Sequence, residues 1–272
     1  MSAQPSDPIP TDTELLALYD SYCQAAAMSV NTRVLKQNYL RRFIAEHDVR
    51  TCTSQDIIDW LSANPAWKPA TRRAARSALT TFYGWLRKMG HRLDDPAADT
   101  ASVRVPMGAP KPCPEQVLAQ AIDKADPRAR LALLLGAYAG LRRAEIAGLH
   151  ASMIDLEART LRITGKGGRT RVVPMSETLV EELTLAVARG GYLFPNGRGG
   201  SLSPTSLGRL VSPLLGTGYS THALRHRFAT RVYQGTHDLR ATQELLGHSS
   251  IATTERYTAV SDEQRRAAVD VL

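Results

Sequence analysis

Two segments in the second half of this 272-residue chain place basic residues where they could contact a phosphate. In AGLRRAEIAGL, Gly140 is expected to end one helix and Arg142 to open the next, with Glu145 three residues on to orient it. In ITGKGGRTRVVP, Lys166 lies between glycines at the tip of a predicted hairpin, within reach of a phosphate or a leaving oxygen. Taken alone, the first segment is explained by a common surface Arg–Glu pair, and Lys166 is better explained as an ordinary exposed turn lysine. A Walker A loop is excluded, because GKGG lacks the upstream glycine spacing and the following Ser or Thr.

A third segment, STHALRHRFAT, contributes histidines and a second arginine. Ser220 or Thr221 is expected to cap a helix that begins near His222. His222 and Arg225 are three residues apart and share one helical face, and His226 comes next in sequence. No Cys, Asp or Glu lies at ligand spacing within the segment, so the pattern favours phosphate contact over metal binding.

The fourth segment, ELLGHSSIATTERYTAV, contains a candidate nucleophile. Gly247 is expected to end a helix, and His248 follows it directly. Tyr257 comes nine residues later, near the end of the next predicted helix. Taken alone, Tyr257 is better described as a half-buried aromatic packing on a core.

The first half of the chain supplies the elements of a helical domain. Apolar residues recur at helical spacing in four segments, and Thr53 or Ser54 is expected to cap the third. Four helices of this length can close around a shared core. The residues that mark them are Leu15, Leu18, Tyr19 and Tyr22; Tyr39, Leu40, Phe43 and Ile44; Ile57, Trp60 and Leu61; and Leu79, Phe82, Tyr83 and Leu86.

The fourth predicted helix carries much of a basic stretch that holds no acidic residue between Asp59 and Asp94. Either a solvated helix surface or a face that contacts DNA phosphates explains it, and the single sign of charge favours the second. Arg72 and Arg76 are expected on a face away from Leu79 and Phe82. The predicted DNA contacts are Lys68, Arg72, Arg73 and Arg76.

A proline-rich segment without apolar periodicity separates the two halves. The sequence predicts a helical domain over 11–95, a linker over 96–112 and a second domain over 113–272. The second domain begins with helix-like segments and contains a β-hairpin around GKGG. The expected fold is therefore mainly α, with a four-helix N-terminal domain and an α+β second domain bearing a small antiparallel hairpin or sheet.

Composition limits the class of protein. The net charge of +8 favours a polyanionic partner, although simple solubility explains it as well. Three cysteines at wide spacings and without a CxxC pair favour neither a disulfide framework nor a zinc site, and fit a reducing cytosol. No secretory signal or membrane span is expected, so the predicted location is the cytoplasm, in association with the nucleoid.

Taken together, GLRRAE, TGKGG, HALRH, LLGHSS and TTERY resemble, in type and order, the catalytic domain of the tyrosine recombinases of the phage-integrase type. The resemblance covers roughly residues 110 to 260, and the preceding helical domain fits that family's core-binding domain. Glu145 matches a supporting acidic position and His226 a helper histidine. By position, the family's catalytic set corresponds to Arg142, Lys166, His222, Arg225, His248 and Tyr257.

The resemblance implies a site-specific recombinase that cuts and rejoins DNA through a 3′-phosphotyrosine, without metal, ATP or other cofactor. It implies double-stranded core sites, four protomers on two sites and, in some members, a directionality factor. Integration and excision of a mobile element is the favoured role. An Xer-type chromosome-dimer resolvase, a transposon recombinase, a type IB topoisomerase-like nicking and closing enzyme and a non-catalytic DNA-binding regulator stay open as alternatives.

The tail SDEQRRAAVDVL (261–272) has two readings. In the family such tails dock on a neighbouring protomer, which is the favoured interpretation. An exposed C-terminus of small apolar residues is alternatively a degradation tag.

About ten residues precede the first predicted helix, so the arm-binding domain of larger integrases is expected to be absent. We therefore expect recombination on a minimal core site, measured with paired plasmid substrates. The matched substrates carry the same core with native flanks of increasing length. A strict requirement for the flanks would contradict this expectation.

Overall fold

A computed structural model describes residues 10–106, 108, 110–165 and 168–247. The chain divides into two compact units, residues 1–107 and 108–272, and the division falls inside the proline-rich segment. The described residues form eleven α-helices, one 3-10 turn and one small sheet. The prediction of a mainly helical fold with a small antiparallel sheet is confirmed.

The first unit contains four helices: α1 (Asp12–Ala25), α2 (Val30–Ile44), α3 (Ser54–Ser62) and α4 (Pro69–Lys88). Short polar side chains cap the first three, because the leading N–H groups of a helix lack partners within it. Thr11, Ser29 and Thr53 each accept a hydrogen bond from an N–H in the first turn. Thr53, one of the two predicted caps of α3, is the N-cap, and helix α4 instead begins with a proline at its first position.

The core of the first unit is rich in aromatic residues. Phe43 packs edge-on against Trp60 with ring centroids 5.2 Å apart, and Tyr19 packs edge-on against Phe82 at the same spacing. Such perpendicular packing is favoured by the charge distribution of the rings. The buried faces predicted for the third and fourth helices are confirmed, since every residue that marked them is buried.

The face predicted for α1 is partly wrong. Leu18 and Tyr22 are 46% and 38% exposed, whereas Leu16 and Cys23 are buried beside Leu15 and Tyr19. The helix carries apolar residues on more than one side, and packing against the other helices decides which side is covered.

The orientation predicted for Arg72 and Arg76 is also wrong. Positions 72, 76 and 79 follow i, i+4, i+7 spacing and so lie on the same face of α4 as the buried Leu79. Both arginines are half-buried. Arg72 donates to the carbonyls of Leu61 (3.0 Å) and Asn64 (3.2 Å).

Arg76 donates to the carbonyl and hydroxyl oxygens of Thr100. Thr100 and Ala97 are buried in the first unit, so its packing extends into the segment predicted as linker. The guanidinium groups of Arg72 and Arg76 thus form hydrogen bonds within their own unit. Lys68, the N-cap residue of α4, and Arg73, on the helix itself, are exposed.

The second unit is built from seven helices and a three-stranded sheet. Strand β2 (Thr160–Thr164) pairs antiparallel with β1 (Ile154–Asp155) and with β3 (Thr170–Pro174), so the predicted hairpin is present with one further strand. A 3-10 turn at Ala151–Met153 precedes the sheet. The helices are α5 (Glu115–Lys124), α6 (Pro127–Tyr138), α7 (Arg143–Ala147), α8 (Glu177–Ala188), α9 (Pro204–Leu215), α10 (Thr221–Thr236) and α11 (Leu239–Leu246).

Helices α6 and α10 approach closely because glycines face large side chains. A Cβ atom at Gly136 would lie 2.9 Å from Cδ1 of Leu224, and one at Gly140 would lie 2.3 Å from Cδ1 of Phe228. Gly140 also has a φ of 62°, which favours glycine. The close contact brings the start of α7, with Arg142, next to the part of α10 that carries Arg225.

All three cysteines are buried thiols. Among the helices of the described residues, none has the length and apolar character to cross a membrane.

Lys36 is a buried cation in the first unit. Its Nζ donates to the hydroxyl of Thr81 at 2.5 Å, and the Tyr19 hydroxyl donates to the same oxygen at 2.8 Å. Burial lowers the pKa of Lys36 below its ordinary value of 10.5. Within the described residues no carboxylate forms an ion pair with it, so its charge is poorly compensated.

We predict that Lys36→Met raises the free energy of unfolding of the first unit by about 1 kcal/mol at pH 7, because the desolvated ammonium is removed. All three tryptophans lie in this unit, so fluorescence in urea reports its unfolding. The gain in free energy of unfolding should shrink as the pH rises towards 10.5, since the buried Lys36 amine of the folded wild type loses its proton at a lower pH than that of the unfolded chain. Exposed Lys68→Met is the control, and a destabilised Lys36→Met protein would contradict the prediction.

Candidate active site

Arg142 is the N-cap residue of α7, and Glu145 is the third residue of that helix. The Glu145 carboxylate accepts from the backbone N–H of Arg142 at 2.8 Å and from its Nη1 at 2.9 Å. The predicted role of Glu145 in orienting Arg142 is therefore visible in the geometry. The Arg142 side chain remains 41% exposed, so a ligand can reach its guanidinium group.

Glu145 is the most deeply buried carboxylate among the ion pairs of the described residues, with 6% of its side chain exposed. Burial alone would raise its pKa, but hydrogen bonds from Arg171 and Arg142 outweigh that effect. The net result is a pKa below the ordinary value, so Glu145 is ionised at neutral pH. A buried anion surrounded by guanidinium groups fixes where those groups lie.

Arg225 approaches the same carboxylate from α10. Its Nη1 lies 4.0 Å from Oε2 of Glu145, and its side chain is 1% exposed. The guanidinium donates through Nη1 to the carbonyl of Gly140 and through Nη2 to that of Leu246, each at 2.5 Å. These contacts place Arg225 at the junction of α6, α7 and α11.

Three arginines also bind the end of α11. The successive carbonyls of residues 245–247 accept, in order, from Arg171 Nε at 2.9 Å, Arg225 Nη2 at 2.5 Å and Arg142 Nη2 at 3.4 Å. Cations at a helix C-terminus are stabilised by its unpartnered carbonyls and by the helix dipole. Gly247 ends the helix in the left-handed conformation, with a φ of 62°, as its sequence position predicted.

The histidines of the third segment lie on the first turns of α10. Ser220 is the N-cap, so one of the two predicted caps is confirmed, and its hydroxyl accepts from the N–H of His222. His222 is exposed, and its ring stands edge-on to the buried ring of His226 with centroids 4.4 Å apart. Nδ1 of His226 accepts from the backbone N–H of Lys111 at 3.1 Å, which places the proton of the neutral ring on Nε2.

The other three predicted site residues, Lys166, His248 and Tyr257, lie outside the described residues, and so does the tail 261–272. The structure does describe residues next to Lys166 and His248 in the sequence. The N–H of Gly168 donates to the carbonyl of Gly165 at 3.2 Å, and Lys166 lies between these two glycines in the sequence. Gly247 is the residue directly before His248.

The sequence reasoning missed Arg171, which bonds to both Glu145 and α11. A signal was present. In the strand pattern Arg171 alternates with Val172 and so faces the same side as the buried Val173. An arginine on the apolar face of a strand requires a buried anion or carbonyl groups as partners.

Comparison with known proteins shows which family shares this sequence and fold. Residues 114–264 match the model of the phage integrase family. Tyrosine recombinase XerC of Myxococcus xanthus is 35% identical over 228 residues, which cover 74% of this chain and 75% of the relative.

The chain belongs to the phage integrase family of tyrosine recombinases. It is accordingly a site-specific recombinase, as its sequence motifs implied.

Two solved structures extend the likeness over nearly the whole recombinase. The integrase of mycobacterium phage Brujita is 29% identical with a TM-score of 0.50, covering 94% of this chain and 91% of that one. A lambda integrase dimer bound to a COC′ core site aligns with a TM-score of 0.74, 19% identity and coverage of 93% and 78%. At that identity the second comparison concerns the fold alone, and it extends over both units.

We predict that Glu145→Gln destabilises the second unit of the recombinase by about 3 kcal/mol, because three guanidinium groups lose their shared anion. Far-UV circular dichroism in urea follows both units, while tryptophan fluorescence follows only the first and serves as an internal reference. Folding lowers the pKa of Glu145. Its contribution to the free energy of unfolding is therefore present above pH 4.5 and is lost as the pH falls through its pKa in the folded protein.

The matched control is Glu157→Gln, an exposed glutamate in the turn between β1 and β2. Equal transitions for Glu145→Gln, Glu157→Gln and wild type would show that the carboxylate charge contributes nothing to stability.

Proposed function

We propose that the recombinase breaks and rejoins DNA strands through a covalent bond to Tyr257, with Arg142 and Arg225 binding the scissile phosphate. The observation that carries the proposal is the convergence of these two arginines on one buried carboxylate, Glu145. They come from distant segments, and α7 and α10 hold them at the junction from which the chain continues towards His248 and Tyr257.

The two guanidinium groups suit a phosphoryl transition state. A phosphodiester gains negative charge on its non-bridging oxygens when the attacking oxygen adds to phosphorus. Planar, permanently charged arginines donate paired N–H bonds to such oxygens, and a charge that forms only in the transition state is where stabilisation speeds the reaction. Lysine at either position would retain the charge and lose the fork.

The nucleophile requires activation, because a phenol has a pKa near ~10. His222 is exposed at the start of α10 and is assigned the acceptance of the Tyr257 proton. The Tyr257 oxygen then forms a bond to phosphorus, and the 5′-oxygen leaves with a proton donated by Lys166. His248 hydrogen-bonds the phosphate.

Rejoining repeats this transesterification in reverse. A 5′-hydroxyl attacks the 3′-phosphotyrosine, forms the new phosphodiester and releases Tyr257, which recovers its proton. The bond energy is conserved in the intermediate throughout. His226, whose Nδ1 is occupied by the Lys111 N–H, is assigned a supporting role beside His222.

Double-stranded DNA is the proposed substrate. The solved relatives include a lambda integrase bound to a core site and XerH bound to its difH substrate. In the first unit, the exposed Lys68 and Arg73 are the proposed phosphate contacts, while Arg72 and Arg76, which bond to their own unit, have a structural role in addition. Assembly as four protomers on two sites, with the tail docked in trans, is part of the proposal, as is control by a directionality factor.

We predict that Lys68→Ala and Arg73→Ala each weaken binding to all DNA sequences and lower the slope of log K against log salt concentration by about 1. Fluorescence anisotropy on a core-site duplex between 50 and 200 mM salt (roughly the range where the slope is resolved) measures both. Arg189→Ala, at the exposed end of α8, is the control. Unchanged slopes in both variants would remove these residues from the DNA interface.

The nucleophile is tested with a nicked suicide substrate, from which the short 5′-hydroxyl strand diffuses away after cleavage. We predict a covalent protein–DNA adduct with wild type and none with Tyr257→Phe, because the substitution removes only the attacking oxygen. Denaturing gel electrophoresis detects the adduct, and peptide mapping locates it. An adduct that persists in Tyr257→Phe would refute the assignment.

A second biological role is favoured by one comparison. The relative with 35% identity is named XerC, which supports a chromosomal Xer-type role alongside integration and excision of a mobile element. Deletion of the gene distinguishes them. Accumulated chromosome dimers indicate the Xer role, whereas loss of a circular excised element indicates the integrase role.

A further inference from the structure

Arg171 lies on β3 opposite Ile163 and faces the interior of the second unit. Its side chain is 10% exposed. It is neither one of the motif residues that pointed to recombination nor part of the hydrophobic core. A nearly buried guanidinium group beside the candidate site requires an explanation of its own.

All three nitrogens of the Arg171 guanidinium donate into the protein. Nη1 and Nη2 bind the two oxygens of Glu145 at 2.9 and 2.8 Å, a paired geometry that fixes the plane of the carboxylate. Nε donates to the carbonyl of Leu245 at 2.9 Å. One side chain from the sheet therefore holds both α7 and α11.

The carboxylate that Arg171 orients also binds Arg142. Oε1 of Glu145 accepts from Nη1 of both arginines, and Oε2 accepts from the Arg142 backbone. Arg142 is much more exposed than Arg171, and its guanidinium is oriented by Glu145 at 2.9 Å and by the more distant Gly247 carbonyl at 3.4 Å. Arg171 thus acts on Arg142 through a shared anion rather than by contact.

Arg171 also lies against the residue that ends α11. A Cβ atom at Gly247 would lie 2.9 Å from Cδ of Arg171, so backbone and side chain are in tight contact there. Residue 247 leads directly into the segment that carries His248 and Tyr257. Arg171 itself belongs to β3, five residues after Lys166 in the sequence.

We propose that Arg171 is a positioning residue for strand cleavage, which aligns Arg142 through Glu145 and holds the end of α11 from which the His248–Tyr257 segment departs. In this proposal Arg171 does not touch the phosphate, because all three of its guanidinium nitrogens donate to Glu145 and to the Leu245 carbonyl. The inference deepens the proposed function and rests on it for its catalytic consequence.

The experiment compares wild type, Arg171→Lys, Arg171→Met and Arg162→Met in single-turnover adduct formation on the suicide substrate. Arg162 lies on β2, exposed on the opposite face of the same hairpin, and is the control. We expect Arg171→Met to slow the adduct at least tenfold at saturating protein, with DNA affinity within about threefold of wild type, a loss of about 1.4 kcal/mol in transition-state stabilisation. The rate of adduct formation by Arg171→Lys should fall between those of wild type and Arg171→Met, since lysine keeps the charge and loses the paired geometry.

A substrate with a neutral methylphosphonate at the scissile position separates positioning from loss of structure. A neutral linkage carries less negative charge for Arg142 to stabilise. The slowing of adduct formation caused by Arg171→Met should therefore be severalfold smaller on the methylphosphonate than on the phosphodiester. An equal penalty on both substrates would mean that Arg171 supports structure only. Arg171→Met cleaving the phosphodiester at the wild-type rate would overturn the proposal outright. Should Arg171→Met not fold, Arg171→Lys is put through the same comparison.

A second measurement does not depend on activity. Nitrogen-15 NMR spectra of arginine side chains should show guanidinium protons of Arg142 that are protected from exchange with water in wild type. In Arg171→Met the signals of these protons should be averaged by rotation of the guanidinium group. Unchanged Arg142 protons in Arg171→Met would refute the positioning role. If wild type forms no adduct, the proposed function fails, and these spectra still decide whether Arg171 aligns Arg142.

Discussion

The buried carboxylate of Glu145 is the interaction on which the arrangement of the second unit depends. A carboxylate removed from water is stable as an anion only when cations and N–H donors replace its hydration. Here Arg171 supplies a paired contact, Arg142 supplies two donors, and Arg225 lies 4.0 Å away. Three segments far apart in sequence meet because one charge requires all of them.

The same constraint explains the end of α11. Three guanidinium groups close together repel one another, and a single carboxylate compensates only part of their charge. The carbonyls of residues 245–247 supply one further partner for each arginine, and the Gly140 carbonyl supplies another for Arg225. Two of the three arginines that bind the helix terminus, Arg142 and Arg225, are proposed to bind phosphate, so the position of this terminus is coupled to the positions of both side chains.

The sequence predicted the elements better than the contacts. The caps at Thr53 and Ser220, the buried stripe of α4 and the glycine at the end of α11 follow from local rules that the structure obeys. The covered side of α1 did not follow, because Leu16 and Leu18 are equally apolar and only the neighbouring helices distinguish them. Local rules therefore located the elements without choosing between two apolar faces.

Polar residues inside the fold were harder still. Arg72 and Arg76 were interpreted as surface charges, yet they bond to carbonyls that lie near them only after folding. Arg171 and Lys36 are likewise buried cations whose partners come from other elements. Composition counts such charges, while their partners depend on tertiary structure. The motif residues could be named in advance because five segments agree with one family, but the residue that aligns them could not.

The contacts among Arg142, Arg171 and Arg225 require Glu145 to be ionised. Its pKa can be measured by titrating the side-chain carboxyl carbon in glutamate-labelled protein, with Glu145→Gln assigning the resonance. We expect a pKa below 4.5, the ordinary value, because the hydrogen bonds from Arg171 and Arg142 outweigh burial. A midpoint at or above 4.5 would show that the arginines do not compensate the buried charge, and would contradict the central role given to Glu145.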